Sequence, residues 1–129
     1  MAFSVPESPL VQPRNMFFGQ MIAATIGIIC RLYIAEPMGT KGLALPLSVT
    51  SSLLVMMLTR SVHPPAGGTA AIAILTPAGD RLGWGFLVPV LTGTLLGMAL
   101  SVLVNNLRPK TVFPTYWFFG KPEPYWFCI

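Results

Sequence analysis

Charge is what this sequence has least of. Of its 129 residues 9% are charged and 53% are hydrophobic, where an ordinary soluble domain carries roughly 25% charge. A soluble chain of that balance could not cover its surface with polar groups. The composition therefore excludes a water-facing domain and points to a bilayer as the solvent, at a length that suits one small membrane domain. Histidine occurs once, at His63, and cysteine twice, at Cys30 and Cys128. No metal-ligand spacing and no nucleophile with a neighbouring base is present, so neither a metal, a cofactor nor an enzyme is expected. A Cys30–Cys128 bridge is not expected either, since Cys30 falls inside an apolar run and Cys128 sits beside the C-terminus. The first fifteen residues hold three prolines, no basic start and no long apolar core, which is not a signal peptide. No transit peptide is visible, so an organellar address would have been removed or would lie elsewhere. The net charge of +4 reads as basic loops at a membrane surface, not as a nucleic-acid site.

The few charges mark the breaks: Arg31, Glu36 and Lys41; then Arg60; then Asp80 and Arg81; then Arg108 and Lys110. A spanning helix needs about 20 apolar residues at about 1.5 Å each. The gaps between charges predict three spanning helices, over 15 to about 35, 43–58 and 83–107. Arg31, near the end of the first, is expected to reach out to the interface. Pro46 fits the first turn of the second, and Pro89 should start the last one late or bend it. Between the second and last spans lies a shorter apolar stretch, 65–76, bounded by Pro64, Pro65 and Pro77. As a helix of about a dozen residues it would reach roughly 18 Å, too short for a hydrocarbon core of about 30 Å. The fold class is thus all-α integral membrane: three transmembrane helices plus a short re-entrant or half-helix, which membranes tolerate only where protein or a water-filled cavity surrounds it. If it is re-entrant, both its ends lie on one face; if it crosses, they do not, and the distribution of Lys and Arg favours neither.

That half-helix follows "RSVHPPAGGT" (60–69), which gathers the only histidine, paired prolines and paired glycines. Pro65 suits a first helical turn, where its missing N–H has no partner to lose. Ala66, Gly67, Gly68 and Thr69 would then present backbone N–H groups at the positive end of a helix, an anion-binding arrangement that transporters use near the bilayer midplane. Arg60 and His63 could add charge or donors, and Thr69 a hydroxyl. The alternative is a proline-stiffened loop that starts a helix, with His63 satisfied by a backbone carbonyl. Arg14 and Asn15 stay similarly open: Asn15 is a good helix N-cap, and with Gln12 the pair could line the same cavity, or Arg14 could anchor at the headgroups. Two stripes of small residues at four-residue spacing, Gly19–Ala23–Gly27 and Gly93–Gly97–Ser101, are expected to be helix-packing faces.

The run "HPPAGGTAAIAIL" (63–75) resembles the signature of the HPP family of integral membrane proteins. "PESPLVQPRN" (6–15) and "LVNNLRP…FPTYW" (103–117) are similar to further blocks of that family in the same order. The family includes proteins implicated in nitrite transport in chloroplasts and cyanobacteria. The resemblance implies a carrier of a small inorganic anion, with Arg60, His63 and the glycines as its site, in an organellar membrane such as the chloroplast envelope or thylakoid. It divides the chain into an HPP-like transmembrane domain (1–108), which begins later than the family pattern, and a tail (109–129). A carrier usually needs both halves of its pattern around a site, so the resemblance implies that the chain is a partial product, or assembles with other subunits or copies, or no longer transports. The tail repeats a Tyr-Trp-Phe triplet nine residues apart and holds four prolines. Its aromatics suit either a membrane-interface belt or a docking arm for a partner, with Tyr116, Trp117, Tyr125 and Trp126 as anchors. Two functions follow: transport or binding of a nitrite-like anion, or a non-transporting accessory subunit of a larger organellar membrane complex.

Overall fold

Proline sets where helices begin. Pro13, Pro65 and Pro77 each occupy the first turn of a helix, where no amide hydrogen bond is forfeited. The computed structural model describes residues 2–109 and 111–118, and among these every regular element is helical. A short 3₁₀ turn (Pro9–Val11) leads into α1 (Pro13–Cys30), which runs on through a π turn (Arg31–Ala35) and α2 (Glu36–Met38). Then come α3 (Ala44–Leu58), α4 (Pro65–Leu75), α5 (Pro77–Leu82), a 3₁₀ turn (Gly83–Phe86) and α6 (Leu87–Asn106). Pro89 sits in the first turn of α6, so that helix starts late, as expected of it.

Among the described residues two runs are long and apolar enough to cross a membrane: Pro13–Met38, of 26 residues, and Pro77–Asn106, of 30. The second expected span is shorter than required. At 15 residues α3 reaches about 22 Å against a core of about 30 Å. The half-helix α4 has 11 residues, or about 16 Å.

α1 is the central helix and packs against α3, α4 and α6, while α4 also packs against α3. The first small-residue stripe is the reason. A Cβ on Gly19 would come within 2.6 Å of the His63 Cβ, and one on Gly27 within 2.8 Å of the Ala73 Cβ and 3.0 Å of the Ala70 carbonyl. Ala23 lies between them, fully buried against Ala66 and Ala70. In lipid, helices gain nothing from burying apolar surface against each other, so this close approach supplies the van der Waals attraction. A third stripe went unread in the sequence: Ala44, Ser48, Ser52 and Met56 form the buried face of α3. The Ser48 and Ser52 hydroxyls each donate to the carbonyl three residues back, at 2.8 Å, so both can be buried without an orphaned polar group.

The second expected stripe behaves differently. Nothing lies within 4 Å of a Cβ built on Gly93 or Gly97. Ser101 alone is buried, its hydroxyl turned back to the Gly97 carbonyl at 2.7 Å. These glycines line open space instead of a helix contact.

The half-helix does not fold back. Its leading loop stays near the start of α1, where Arg14 Nη2 donates to the Thr59 carbonyl at 3.3 Å and Asn15 Nδ2 to the Val62 carbonyl at 3.0 Å. Its C-terminal end lies against Arg31, beyond the far end of α1. Loop and half-helix together carry the chain from one end of the bundle to the other, which is the geometry of a crossing. Leu53, Leu54, Leu58, Leu96, Leu100 and Leu103 remain on the outer surface, where the solvent for them is lipid.

The crossing is testable. Single cysteines replacing Arg60 and Ala78 in a Cys30→Ala, Cys128→Ala background should label from opposite faces of a sealed vesicle; labelling from one face restores the re-entrant form. The packing difference between the stripes has a stability signature. Gly27→Val should cost about 1–3 kcal/mol by overpacking, whereas Gly93→Ala should be neutral or stabilise by up to about 1 kcal/mol, as read by thermal unfolding in detergent.

Candidate functional site

A cavity of about 360 Å³ lies between α1, the start of α4 and α6. Met16 and Gln20 face it from α1, and His63 and Thr69 from the His-Pro-Pro turn and α4. Thr94, with Gly93 and Gly97, lines it from α6. The missing side chains of the two glycines are what open the space. Two residues singled out in the sequence, His63 and Thr69, therefore do meet, and they meet the supposed packing glycines of α6.

His63 is buried, with 5% of its surface exposed. Its Nδ1 lies 2.8 Å from the Leu10 carbonyl. A carbonyl only accepts, so Nδ1 carries a proton, and in the neutral ring Nε2 is the acceptor. The Thr69 hydroxyl donates to Gln20 Oε1 at 2.5 Å, and the Thr94 hydroxyl donates to the Val90 carbonyl at 2.7 Å. Both hydroxyl protons are thus committed. What the cavity retains is the Gln20 amide N–H₂, the oxygen lone pairs of two threonines and the imidazole, with no charged side chain among its lining residues.

The rest of the expected anion site is placed elsewhere. The N–H groups of Ala66 and Gly67 are taken up by the His63 and Pro64 carbonyls at 2.9 and 3.2 Å, so they are not free donors. Ala66 is buried in packing against α1 and α3. Gly67 lies toward Val49, and Gly68 faces open space outside the cavity. Arg60 is exposed and has a conformational role. Its φ is +52°, and the bonds Arg60 N–H to Met57 O (3.1 Å) and Ser61 N–H to Met56 O (2.9 Å) close α3 in a Schellman motif with Arg60 in the left-handed position. Gly39 plays the same part after α2 at φ +60°. Arg14 and Asn15 hold the loop before α4, as described above, and Asn15 is fully buried. Gln12, also buried, donates to the Pro6 and Ser8 carbonyls and accepts from the Thr115 N–H at 2.9 Å. None of these three lines the cavity.

The tail folds back onto its own chain as far as it is described. Tyr116 OH donates to the Pro9 carbonyl at 3.3 Å, and Phe118 makes edge contacts with Phe17 and Phe18 at centroid separations of 6.1 and 6.2 Å. Tyr116 therefore serves an internal contact, while Trp117 stays 53% exposed. Tyr125 and Trp126 lie outside the described residues.

Gln20 and Thr94 were missed in the sequence. The available signal was a glutamine in the middle of an uncharged run and a threonine beside a glycine stripe. Arg31 was misplaced: it does not extend to the interface but is 1% exposed. Its Nη1 donates to the carbonyls of Ala73 (2.6 Å), Ile74 (3.1 Å) and Thr76 (3.3 Å). The Ala73 and Ile74 carbonyls fall in the last turn of α4, where the break before α5 ends the helical ladder, while the Thr76 carbonyl also accepts from the Gly79 N–H at 3.2 Å. Its guanidinium also pairs with Asp80, and Nε lies 3.7 Å from Glu36. Both carboxylates are about half exposed, so the pairs themselves add little; the carbonyl bonds do most of the holding. Gly79 is glycine for the same reason, since a Cβ there would overlap the Ala73 carbonyl and come within 2.6 Å of Arg31 Nη1.

The sequence matches the family described as "HPP, transmembrane region" over residues 1–114. Two transmembrane proteins of Dictyostelium discoideum are similar to it. One is 36% identical over 116 residues, which is 89% of this chain and 41% of the relative. The other is 34% identical over 118 residues, 91% of this chain and 38% of the relative. The chain thus spans about two fifths of the length of these relatives. No solved structure matches it.

Replacing Arg31 by methionine keeps volume but strips the donors from the end of α4. Unfolding in detergent should then show a loss of about 2–4 kcal/mol, from orphaned carbonyls at about 1–3 kcal/mol each partly reached by water. Arg31→Lys should recover only part of this, since one ammonium cannot fan across three carbonyls and a carboxylate.

Proposed function

The chain belongs to the HPP transmembrane family and is an integral membrane protein, and within that frame we propose that it forms part of a pathway for a small inorganic anion of the nitrite type. The observation that carries this reading is the cavity at His63. In a chain that excludes charge from its apolar runs, polar side chains from three separate elements converge on one space of about 360 Å³, ample for a triatomic anion. The cavity lies beside a broken helix, the arrangement by which transporters place substrate sites at membrane depth. Two glycines of α6 keep its wall free of side chains. The binding groups are Gln20, through its amide N–H₂, and His63; Thr69 fixes the Gln20 amide by donating to its oxygen. The backbone N–H groups at the start of α4 contribute the field of the helix end and not direct bonds, since Ala66 and Gly67 are already paired. An organellar membrane, the chloroplast envelope or thylakoid first, is the proposed location.

A second reading, an accessory subunit that does not transport, is favoured by one observation. Trp117 is left exposed at the bundle end where the tail is pinned to α1, as an aromatic anchor for another membrane subunit or a second copy would be.

Nitrite flux into proteoliposomes, with protein-free vesicles as the blank, separates the two. Transport predicts flux above the blank that falls at least about tenfold in Gly93→Leu, which fills the cavity, and in Gln20→Leu, which removes its amide. Flux at the blank level from a chain shown to be inserted and helical would sink the anion pathway and leave the accessory reading.

A further inference from the structure

We propose that the cavity takes up its anion together with a proton, and that His63 is the proton's seat. The inference rests on the anion reading above and names how that site is regulated.

An anion needs hydrogen-bond donors and compensating charge when it leaves water. With His63 neutral, the lining offers a single donor group, the Gln20 amide. The Thr69 and Thr94 hydroxyl protons are given to Gln20 Oε1 and the Val90 carbonyl. Nδ1–H of His63 is given to the Leu10 carbonyl at 2.8 Å, which leaves Nε2 as an acceptor, repulsive toward an anion. A proton taken from water onto Nε2 reverses both defects at once. It converts the acceptor to a donor and puts a full positive charge in the lining, without disturbing the bond to Leu10.

The converse holds for the proton. A buried imidazolium is costly unless a negative charge faces it, and the elements around His63 supply none. α4 has no ionisable residue from 65 to 75, and α6 has none from 87 to 106. On α1 the ionisable residue at this end is Arg14, a cation bonded to the Thr59 carbonyl. The loop before α4 carries Arg60, another cation, which is exposed. The segment before α1 carries Glu7, also exposed and outside the cavity lining. Glu36 and Asp80 lie at the far end, with Arg31. The counter-charge an imidazolium lacks is the one the anion brings. Each ligand thereby raises the affinity of the other by the same factor, as linkage requires.

His63 is the only histidine in the chain, so its ring protons can be followed by NMR without assignment, in detergent-solubilised protein with sodium nitrite as the probe. Saturating nitrite should move the titration midpoint of His63 upward by about one pH unit, and nitrite binding should tighten about tenfold in all as pH falls from above the nitrite-bound midpoint to below the free one. His63→Asn retains a donor for Leu10 but carries no charge, and should bind nitrite weakly and equally from pH 5 to 8. Nitrite that binds with the same affinity at all these pH values, with the His63 midpoint unmoved, overturns the proton coupling and leaves the anion site standing. Nitrite that binds at no pH overturns both. The wild-type midpoint is read directly, so the result does not depend on the variant folding.

Discussion

A helix that stops inside an apolar medium must find partners for the backbone groups it leaves unpaired, and this constraint organises the whole bundle. α4 is too short to cross on its own, so both its ends have to be satisfied by protein. At its start, Pro65 removes one donor and a tight turn pairs the next two with the His63 and Pro64 carbonyls. At its end, Arg31 collects the carbonyls of Ala73, Ile74 and Thr76. Arg31 reaches them because α1 runs parallel to α4 at glycine distance and loosens into a π turn at Arg31–Ala35. The close contact along Gly19 and Gly27 and the buried arginine are thus two requirements of one broken helix. A π turn inside a long helix often marks such a site.

The element boundaries were legible because a chain with so few charges can place them only where helices end. The second span, expected over 43–58, is Ala44–Leu58, and the half-helix expected over 65–76 is Pro65–Leu75. Apolarity reports where a helix lies but not whether its rise is enough to cross, and so α3 falls short. Of the cavity lining, His63 and Thr69 were readable because the His-Pro-Pro turn fixes them locally. Gln20 and Thr94 were not, since they reach the cavity only through the packing of α1 and α6. Arg60 misled because a positive charge beside a candidate site suggests binding. Its left-handed backbone shows that the residue's place is set by the end of α3, a position where sequence logic looks for glycine.

The same small-residue pattern met two fates. On α1 the stripe is filled by α4, and its glycines could not carry a Cβ without displacing a neighbour. On α6 the glycines face empty space. Spacing alone cannot separate these outcomes, because a smooth helix face permits close approach without requiring it. Only the partner helix decides whether the groove becomes a joint or a cavity.

The loops before α1 and α4 are laced to each other in both directions: Asn15 reaches the Val62 carbonyl, and His63 reaches the Leu10 carbonyl. With Arg31 fastening the opposite ends, α1 and α4 are tied at both extremities and can neither slide past one another nor splay apart without breaking several buried bonds together. They form a fixed wall. α6 meets that wall across the cavity with bare glycines. α6 packs on that wall to either side of the cavity, through Leu87 and Val90 in one apolar cluster and Met98 in another, so the space around His63 is a gap spanned between two fixed points of contact, its width set by the side chains that Gly93 and Gly97 lack.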